Sequence, residues 1–180
     1  MKGSSRTAAK AAKKKTGTPR IDPKKSFFKL ECRRSKIHRW GVFALEPIPA
    51  RRRVIEYTGE RIDQAEMDRR AGKKLLYLFS VSPNRIIDGA VDGSGAQYIN
   101  HSCDGNMKSY SVDGHIYLSS VRPIEAGEEL TYDYNIDEEF DVPCVCGSSP
   151  SGKMMCCMSE AARLRIVSRI ISSEFQLQLA

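Results

Sequence analysis

Residues 95 to 106, Gly-Ala-Gln-Tyr-Ile-Asn-His-Ser-Cys-Asp-Gly-Asn, place Asn100, His101, Ser102, Cys103 and Asn106 within seven positions. That is amide, imidazole, hydroxyl and thiol on one short stretch, a set for which a solvated loop has little use. A second concentration lies at Cys144, Cys146, Cys156 and Cys157, four of the six cysteines. Thiolates bind zinc at about 2.3 Å, and four of them close a structural site. In a reducing compartment such cysteines serve as thiols or metal ligands rather than as disulfides. Tyrosines form the third group: Tyr77 in Leu-Tyr-Leu-Phe, and Tyr132 and Tyr134 in Thr-Tyr-Asp-Tyr. Taken alone, a tyrosine on a β-rich chain is more often a packing residue than a reacting one.

The elements that must position these groups are short. From Phe27 the pattern is strand-like: Phe27 to Leu30, Trp40 to Leu45 and Val54 to Tyr57 lie between turn or charged residues, and Pro47 and Pro49 break the run. Leu75 to Val81, Arg85 to Ala90 and His115 to Val121 read as three further strands. Asp63 can cap a helix and Glu66 can return the bond, which predicts a helix over 64–71 with Gly72 as its stop. After Ser159, a second cap, Leu164, Val167, Ile171 and Phe175 recur at three- and four-residue spacings and line one face of a C-terminal helix. The expected fold class is therefore mainly β with few helices. No internal repeat of the roughly 20-to-50-residue kind is visible. A Gly-x-Gly-x-x-Gly after a strand is absent from the sequence, so a Rossmann-type nucleotide site is not supported.

A chain of 180 residues suits one domain with tails, large enough to bury most of its apolar surface without disulfides. The net charge of +7 is uneven: residues 1 to 25 hold nine Lys or Arg against Asp22 alone, and the remainder carries 20 basic and 21 acidic residues. With almost nothing apolar beyond alanine, residues 1 to 25 are expected to be disordered. Lys10, Lys13, Lys14 and Lys15 resemble a histone-like basic arm, which reads either as a contact to DNA phosphates or an acidic protein face, or as a solubilising tail or targeting remnant. An apolar run of about 18 residues is lacking, and so is an apolar core behind the N-terminal charges, so neither a membrane span nor a secretory signal is expected. The expected location is intracellular: nucleus or chromosome in a eukaryote, cytoplasm in a bacterium.

Five stretches, taken in order, resemble the SET-domain protein-lysine methyltransferases: Trp40-Gly41-Val42-Phe43-Ala44, Glu56-Tyr57-Thr58-Gly59-Glu60, Asn100-His101-Ser102-Cys103, Glu128 to Tyr134, and Cys144-Val145-Cys146-Gly147. The resemblance runs from residue 27 to residue 157. It implies a SET-domain β-fold of several short sheets with a pseudoknot, here followed by a C-terminal helix. The implied organisation is a disordered basic arm over 1–25, the SET domain over 26–140, a post-SET zinc-binding segment over 141–157 and an amphipathic helix over 158–180. The last is a departure, since similar chains usually stop soon after the final cysteine. Gln97 and Gly105 also depart, standing where the family often has Arg and Pro.

The activity the resemblance implies is methyl transfer from S-adenosylmethionine to a lysine amine. Free lysine has a pKa near 10.4, so at pH 7 only about one in 2,500 is neutral and able to attack. An aromatic channel disfavours the ammonium by its low dielectric, while ring faces still attract the cationic substrate and the sulfonium. By resemblance Tyr134 is the catalytic tyrosine and Tyr77 lines the lysine channel. Tyr132 is the residue that limits the number of methyl groups added, so mainly monomethyllysine is expected. Asn100 and His101 would hold the cofactor together with the loop of His38, Arg39 and Trp40, with Tyr77 and Tyr134 beside it. Read singly, His38 is a satisfied histidine and Trp40 a core residue.

Zinc is the second implied cofactor, held by Cys103, Cys144, Cys146 and a third post-SET cysteine, Cys156 or its neighbour Cys157. The nine residues from Gly147 to Met155 exceed the family's usual spacing of four. The implied substrate is a lysine-containing protein, histone or histone-like. Asp137, Glu138, Glu139 and Asp141 beside the channel would attract it. Two rivals remain: a non-catalytic SET-like module that binds chromatin through its arm, and a DNA-binding zinc protein. The first need not keep both sides of a transfer site. The second predicts basic residues among the cysteines, where only Lys153 lies.

Overall fold

The computed structural model describes residues 18–70, 77–82 and 84–134. In chain order its first elements are β1 (Leu30–Arg34), β2 (Trp40–Ala44), β3 (Arg53–Tyr57), β4 (Glu60–Ile62), α1 (Gln64–Arg70), β5 (Leu78–Ser82) and β6 (Arg85–Asp88). A single 3-10 turn at Ala96–Tyr98 then leads into β7 (Asn100–His101), β8 (Met107–Val112), β9 (His115–Ser120) and β10 (Glu129–Tyr132).

Two sheets organise these strands. The larger runs β1-β2-β10-β8-β9-β3 with β7 added beside β10, and the smaller runs β4-β6-β5. The core is built from Val42 of β2, Ile55 of β3, Leu118 of β9 and Leu130 of β10, all fully buried, with Ile99 just before β7. Each such side chain contributes on the order of 1.5–3 kcal/mol by leaving water. The small sheet has its own apolar cluster of Ile62, Met67 and Ile86, to which α1 contributes Met67. Asp63 starts that helix, its Oδ1 accepting the Glu66 N–H at 2.8 Å, and buried Arg70 ends it with bonds to Glu66, Glu60 and Asp88.

Around β10 the chain crosses itself. Tyr132 pairs in parallel with His101 of β7 and with Met107 of β8. One partner lies on each edge of the strand, so the loop of residues 102–106 joining β7 to β8 has to cross β10. Gly105 makes that crossing, since a Cβ there would lie 2.6 Å from Tyr132 Cα and 2.8 Å from the Thr131 carbonyl oxygen. Asn106, buried beneath, accepts the Thr131 N–H at 2.9 Å and donates to the Glu129 carbonyl at 2.8 Å. At this backbone geometry the contact leaves no space for a side chain at position 105. Gln97, which replaces Arg, accepts the Gly95 N–H at 2.8 Å and so closes the turn before Tyr98.

Sequence reading and structure differ at some element bounds. The strand expected from Phe27 starts at Leu30, because residues 25–27 instead form an edge against β3, with Ser26 bridging Ile55 and Phe27 N–H donating to Val54 O at 2.9 Å. Strands β4, β7, β8 and β10 are additions to the expected set: in β8, for example, Met-Lys-Ser-Tyr-Ser-Val has too few apolar residues to signal a strand, and its pairing with β9 supplies what its own pattern lacks. Residues 1–17 of the arm expected over 1–25, Gly72 and the C-terminal helix lie outside the described residues, whereas residues 18–25 are held to the domain, the Asp22 N–H donating to Ser94 O and Lys25 Nζ to Glu56, each at 2.8 Å.

Candidate active site

Strands β1 and β2 leave a tight turn between Arg34 and Trp40 that carries His38 and Arg39. The Ser35 N–H donates to Arg39 O at 3.3 Å, and Arg39 adopts a φ of +40°. That is a left-handed conformation a bulky residue seldom takes, so the surroundings must enforce it. Glu129 of β10 does much of this, its carboxylate accepting from Ser35 Oγ at 2.7 Å and from Asn100 Nδ2 at 2.8 Å. Asn100 Nδ2 also donates to Trp40 O at 3.0 Å. Gly41 lets the carboxylate in, because any Cβ there would collide with it. The half-buried Trp40 ring is covered by the Arg34 guanidinium, 4.3 Å from the ring centre.

His101 is buried beside this turn, and its Nδ1 accepts the backbone N–H of Tyr134 at 2.8 Å. Accepting at Nδ1 assigns the remaining proton of the neutral ring to Nε2, which lies 3.6 Å from Cys103 Sγ. Burial lowers the imidazole pKa from its ordinary value, against the opposing charge of Asp133. The Tyr134 ring stands edge-on to His101 at 5.1 Å and packs against Tyr132 at 4.8 Å. Its hydroxyl donates to Ile99 O at 2.7 Å. The phenol proton is therefore committed to a carbonyl, and toward any further polar group the oxygen acts as an acceptor.

A second aromatic group adjoins Ile99 through Tyr98. Tyr77 meets Tyr98 edge-on at 5.5 Å, and the Tyr77 carbonyl takes the hydroxyl of Tyr57 at 2.8 Å. Tyr57 in turn packs on Phe79 at 5.2 Å. Burial, aided by neighbouring Tyr77, raises the Tyr98 pKa, so this phenol stays neutral at physiological pH.

The fold therefore gathers Asn100, His38, Arg39 and Trp40 around one turn, and His101, Cys103, Tyr132 and Tyr134 around one crossing. Tyr77 joins through Tyr98 and Ile99. Sequence reading gave no role to Ser35, Tyr98, Asn106 or Glu129. Glu129 and Asn106 lay inside quoted motifs, but hydrogen bonds across 94 or 23 positions leave no local pattern. Among the described residues there is no cluster of three or more His, Cys, Asp or Glu able to hold a metal. Cys103 is described, whereas Cys144, Cys146, Cys156 and Cys157 lie outside the described residues.

Comparison with known proteins bears on this arrangement. The curated histone-lysine N-methyltransferase, H3 lysine-4 specific, of Aspergillus oryzae is 42% identical over 130 residues, covering 64% of this chain and 11% of its own length. The Saccharomyces cerevisiae protein of the same description is 43% identical over 129 residues, covering 64% of this chain and 12% of its own. The chain thus spans about a tenth of the length of these relatives. Among solved structures, apo ctPRC2 in an autoinhibited state is similar with a TM-score of 0.57 at 32% identity, over 60% of this chain and 15% of that one. A humanized mutant of the Chaetomium thermophilum Polycomb Repressive Complex 2 matches with a TM-score of 0.56 at 33% identity. The SET domain family matches residues 39–135, more than half of the sequence and all of the crossing around β10, and the chain belongs to that family.

Proposed function

We propose that the chain is an S-adenosylmethionine-dependent protein-lysine N-methyltransferase that acts on histone-like or other basic chromosomal proteins and adds mainly one methyl group. The observation that carries this reading is the Tyr134 hydroxyl, held by the Ile99 carbonyl at 2.7 Å with its ring against His101 and Tyr132. A phenol fixed in this way can accept a hydrogen bond from a neutral amine and steady the positive charge that grows on it. Tyr77 and Tyr98 supply apolar walls that disfavour the ammonium form of an entering lysine. The relatives named as H3 lysine-4 methyltransferases support a histone tail as substrate and a nuclear, chromatin-associated location.

The donor set suits the cofactor: Trp40 and Tyr134 offer ring faces, and the turn of His38 and Arg39 offers backbone groups held in place by Asn100 and Glu129. Bound there, S-adenosylmethionine supplies an electrophilic methyl group on a sulfonium. The protein's own share is to fix the turn, exclude water and orient the amine, so the gain comes from proximity and preorganised dipoles.

Zinc fits by donor type, with Cys103, Cys144, Cys146 and Cys156 or Cys157 as thiolates closing the end of the substrate channel after the SET core of 26–140. The basic arm would add contact to DNA or nucleosomes. Incubation of the purified chain with labelled S-adenosylmethionine and a panel of histones, followed by mass mapping, tests the reading. Cofactor binding without label transfer to any of them would favour a non-catalytic chromatin-binding module.

A further inference from the structure

The outward face of β3, β9 and β8 carries groups that the methyl-transfer reading leaves unused. In the strand register Tyr110 lies opposite Tyr117, and Lys108 lies opposite Ser119, which pairs on its other side with Arg53. The Arg53 guanidinium lies 3.8 Å above the Tyr117 ring, and its Nε donates to the Tyr110 hydroxyl at 2.8 Å. Tyr110 and His115 flank Tyr117 with interplanar angles of 35° and 20° and centroids 5.8 and 6.2 Å away, so the three rings form one contiguous aromatic row on the sheet. Phe27, from the edge segment, adds a ring that is 55% exposed.

Charge identifies the occupant. Lys108 and Arg53 are exposed, and exposed Arg51 and Arg52 continue the positive corner. Glu56 is the acidic residue among the outward positions of these three strands, and its carboxylate already takes Lys25 at 2.8 Å and His115 at 2.6 Å. A row of rings bordered by cations suits a partner that alternates anionic groups with unpaired planar ones. Duplex bases are stacked on each other and leave such rings idle, while an acidic protein loop uses the cations but not the row. We propose that this face binds single-stranded nucleic acid, its bases stacking on Tyr110 and Phe27 and its phosphates meeting Lys108 and the arginine corner, in which Arg53 caps Tyr117.

The test uses the full chain and a fluorescein-labelled 20-nucleotide oligouridylate, with a duplex of equal length and polyglutamate as comparisons. Ultraviolet crosslinking with mass mapping should attach nucleotides to Phe27 or Tyr110. Tyr110→Ala should weaken single-strand binding roughly fivefold or more and leave duplex binding nearly unchanged. The paired change Arg52→Glu and Lys108→Glu alters exposed side chains only, and should reduce the salt dependence by about 0.7 in slope for each phosphate that the variant no longer neutralises. Crosslinks confined to residues 1–17, unchanged affinity in both variants, or polyglutamate displacing the oligonucleotide as an equal ligand would each overturn the proposal.

Discussion

Asn100 and Glu129 stand 29 positions apart in the chain and meet at 2.8 Å, and together they hold the turn that presents His38, Arg39 and Trp40. Glu129 is the hub, since Ser35 also bonds to it. Glu129→Ala should therefore loosen the turn and cost about 1.5–3 kcal/mol of stability, the range for hydrogen bonds to a charged group. Cofactor affinity, measured by calorimetry, should fall by roughly tenfold to a hundredfold, as one missing interaction of that size implies. Unchanged S-adenosylmethionine affinity in a folded variant would detach the turn from cofactor binding.

Gly105→Ala tests the crossing. A methyl group there meets backbone rather than a movable side chain, namely Tyr132 Cα at 2.6 Å and Thr131 O at 2.8 Å. Relief requires β10 to shift, and overpacking of this kind typically costs about 1–3 kcal/mol. Thermal melting should report the loss, and activity should fall with it because Tyr132 and Tyr134 move too. A variant as stable and active as the parent would show that the loop does not press on β10.

The sequence was most informative where residue type alone carries meaning. Five of the ten described strands, β2, β3, β5, β6 and β9, could be read from apolar runs between turn signals, and Asp63 signalled its helix because the cap and the bonded N–H are three residues apart. Asn100, His101 and Tyr134 could be singled out because their motifs match a known order. What could not be read is how they meet. The bond from Tyr134 N–H to His101 spans 33 positions, and the bond from Thr131 N–H to Asn106 spans 25. Only the crossing of β10 between β7 and β8 creates those contacts. Strand β8 escaped notice for a related reason, since its stability comes from its neighbours.

Cys32 gives a pH-dependent prediction. Burial, with Glu31 adding to it, pushes its thiol up to about 12. An ordinary cysteine has a pKa near 8.5, so the fold favours the neutral thiol. The raised folded-state value means this contribution is complete below about 8.5 and is lost progressively as pH rises from there towards about 12. At pH 9 only about one thiol in a thousand would be ionised, so iodoacetamide should leave Cys32 intact until denaturant is added. Prompt labelling of Cys32 in the folded chain at pH 9 would contradict its burial.

Zinc content can be measured directly. If Cys103 shares one ion with Cys144, Cys146 and Cys156 or Cys157, purified protein should contain about one zinc per chain. Cys103→Ser and Cys146→Ser should each lower that content and weaken peptide methylation. Metal analysis finding no zinc in fully active protein would remove the ion from the proposed function and leave the SET core as it stands.

The two tyrosines of Thr-Tyr-Asp-Tyr should separate chemistry from product number. The rings of Tyr132 and Tyr134 are 4.8 Å apart, yet the Tyr134 hydroxyl is bonded to Ile99 O while Tyr132 sits buried in the strand between His101 and Met107. Removing the Tyr134 hydroxyl takes away the proposed acceptor for the amine, so Tyr134→Phe should suppress all transfer with little change in fold. Removing that of Tyr132 leaves more room beside the amine and frees a water it would anchor. A well-held hydrogen bond is worth about 1 kcal/mol or more, close to tenfold in rate for each further methyl group. Tyr132→Phe should therefore shift products from mono- to di- and trimethyllysine without abolishing the first transfer. Time-resolved mass spectra of a histone H3 peptide decide both points. Trimethyllysine as the early main product of the unmodified chain would remove Tyr132 as the limiting group, and a fully active Tyr134→Phe would remove Tyr134 as the catalytic one.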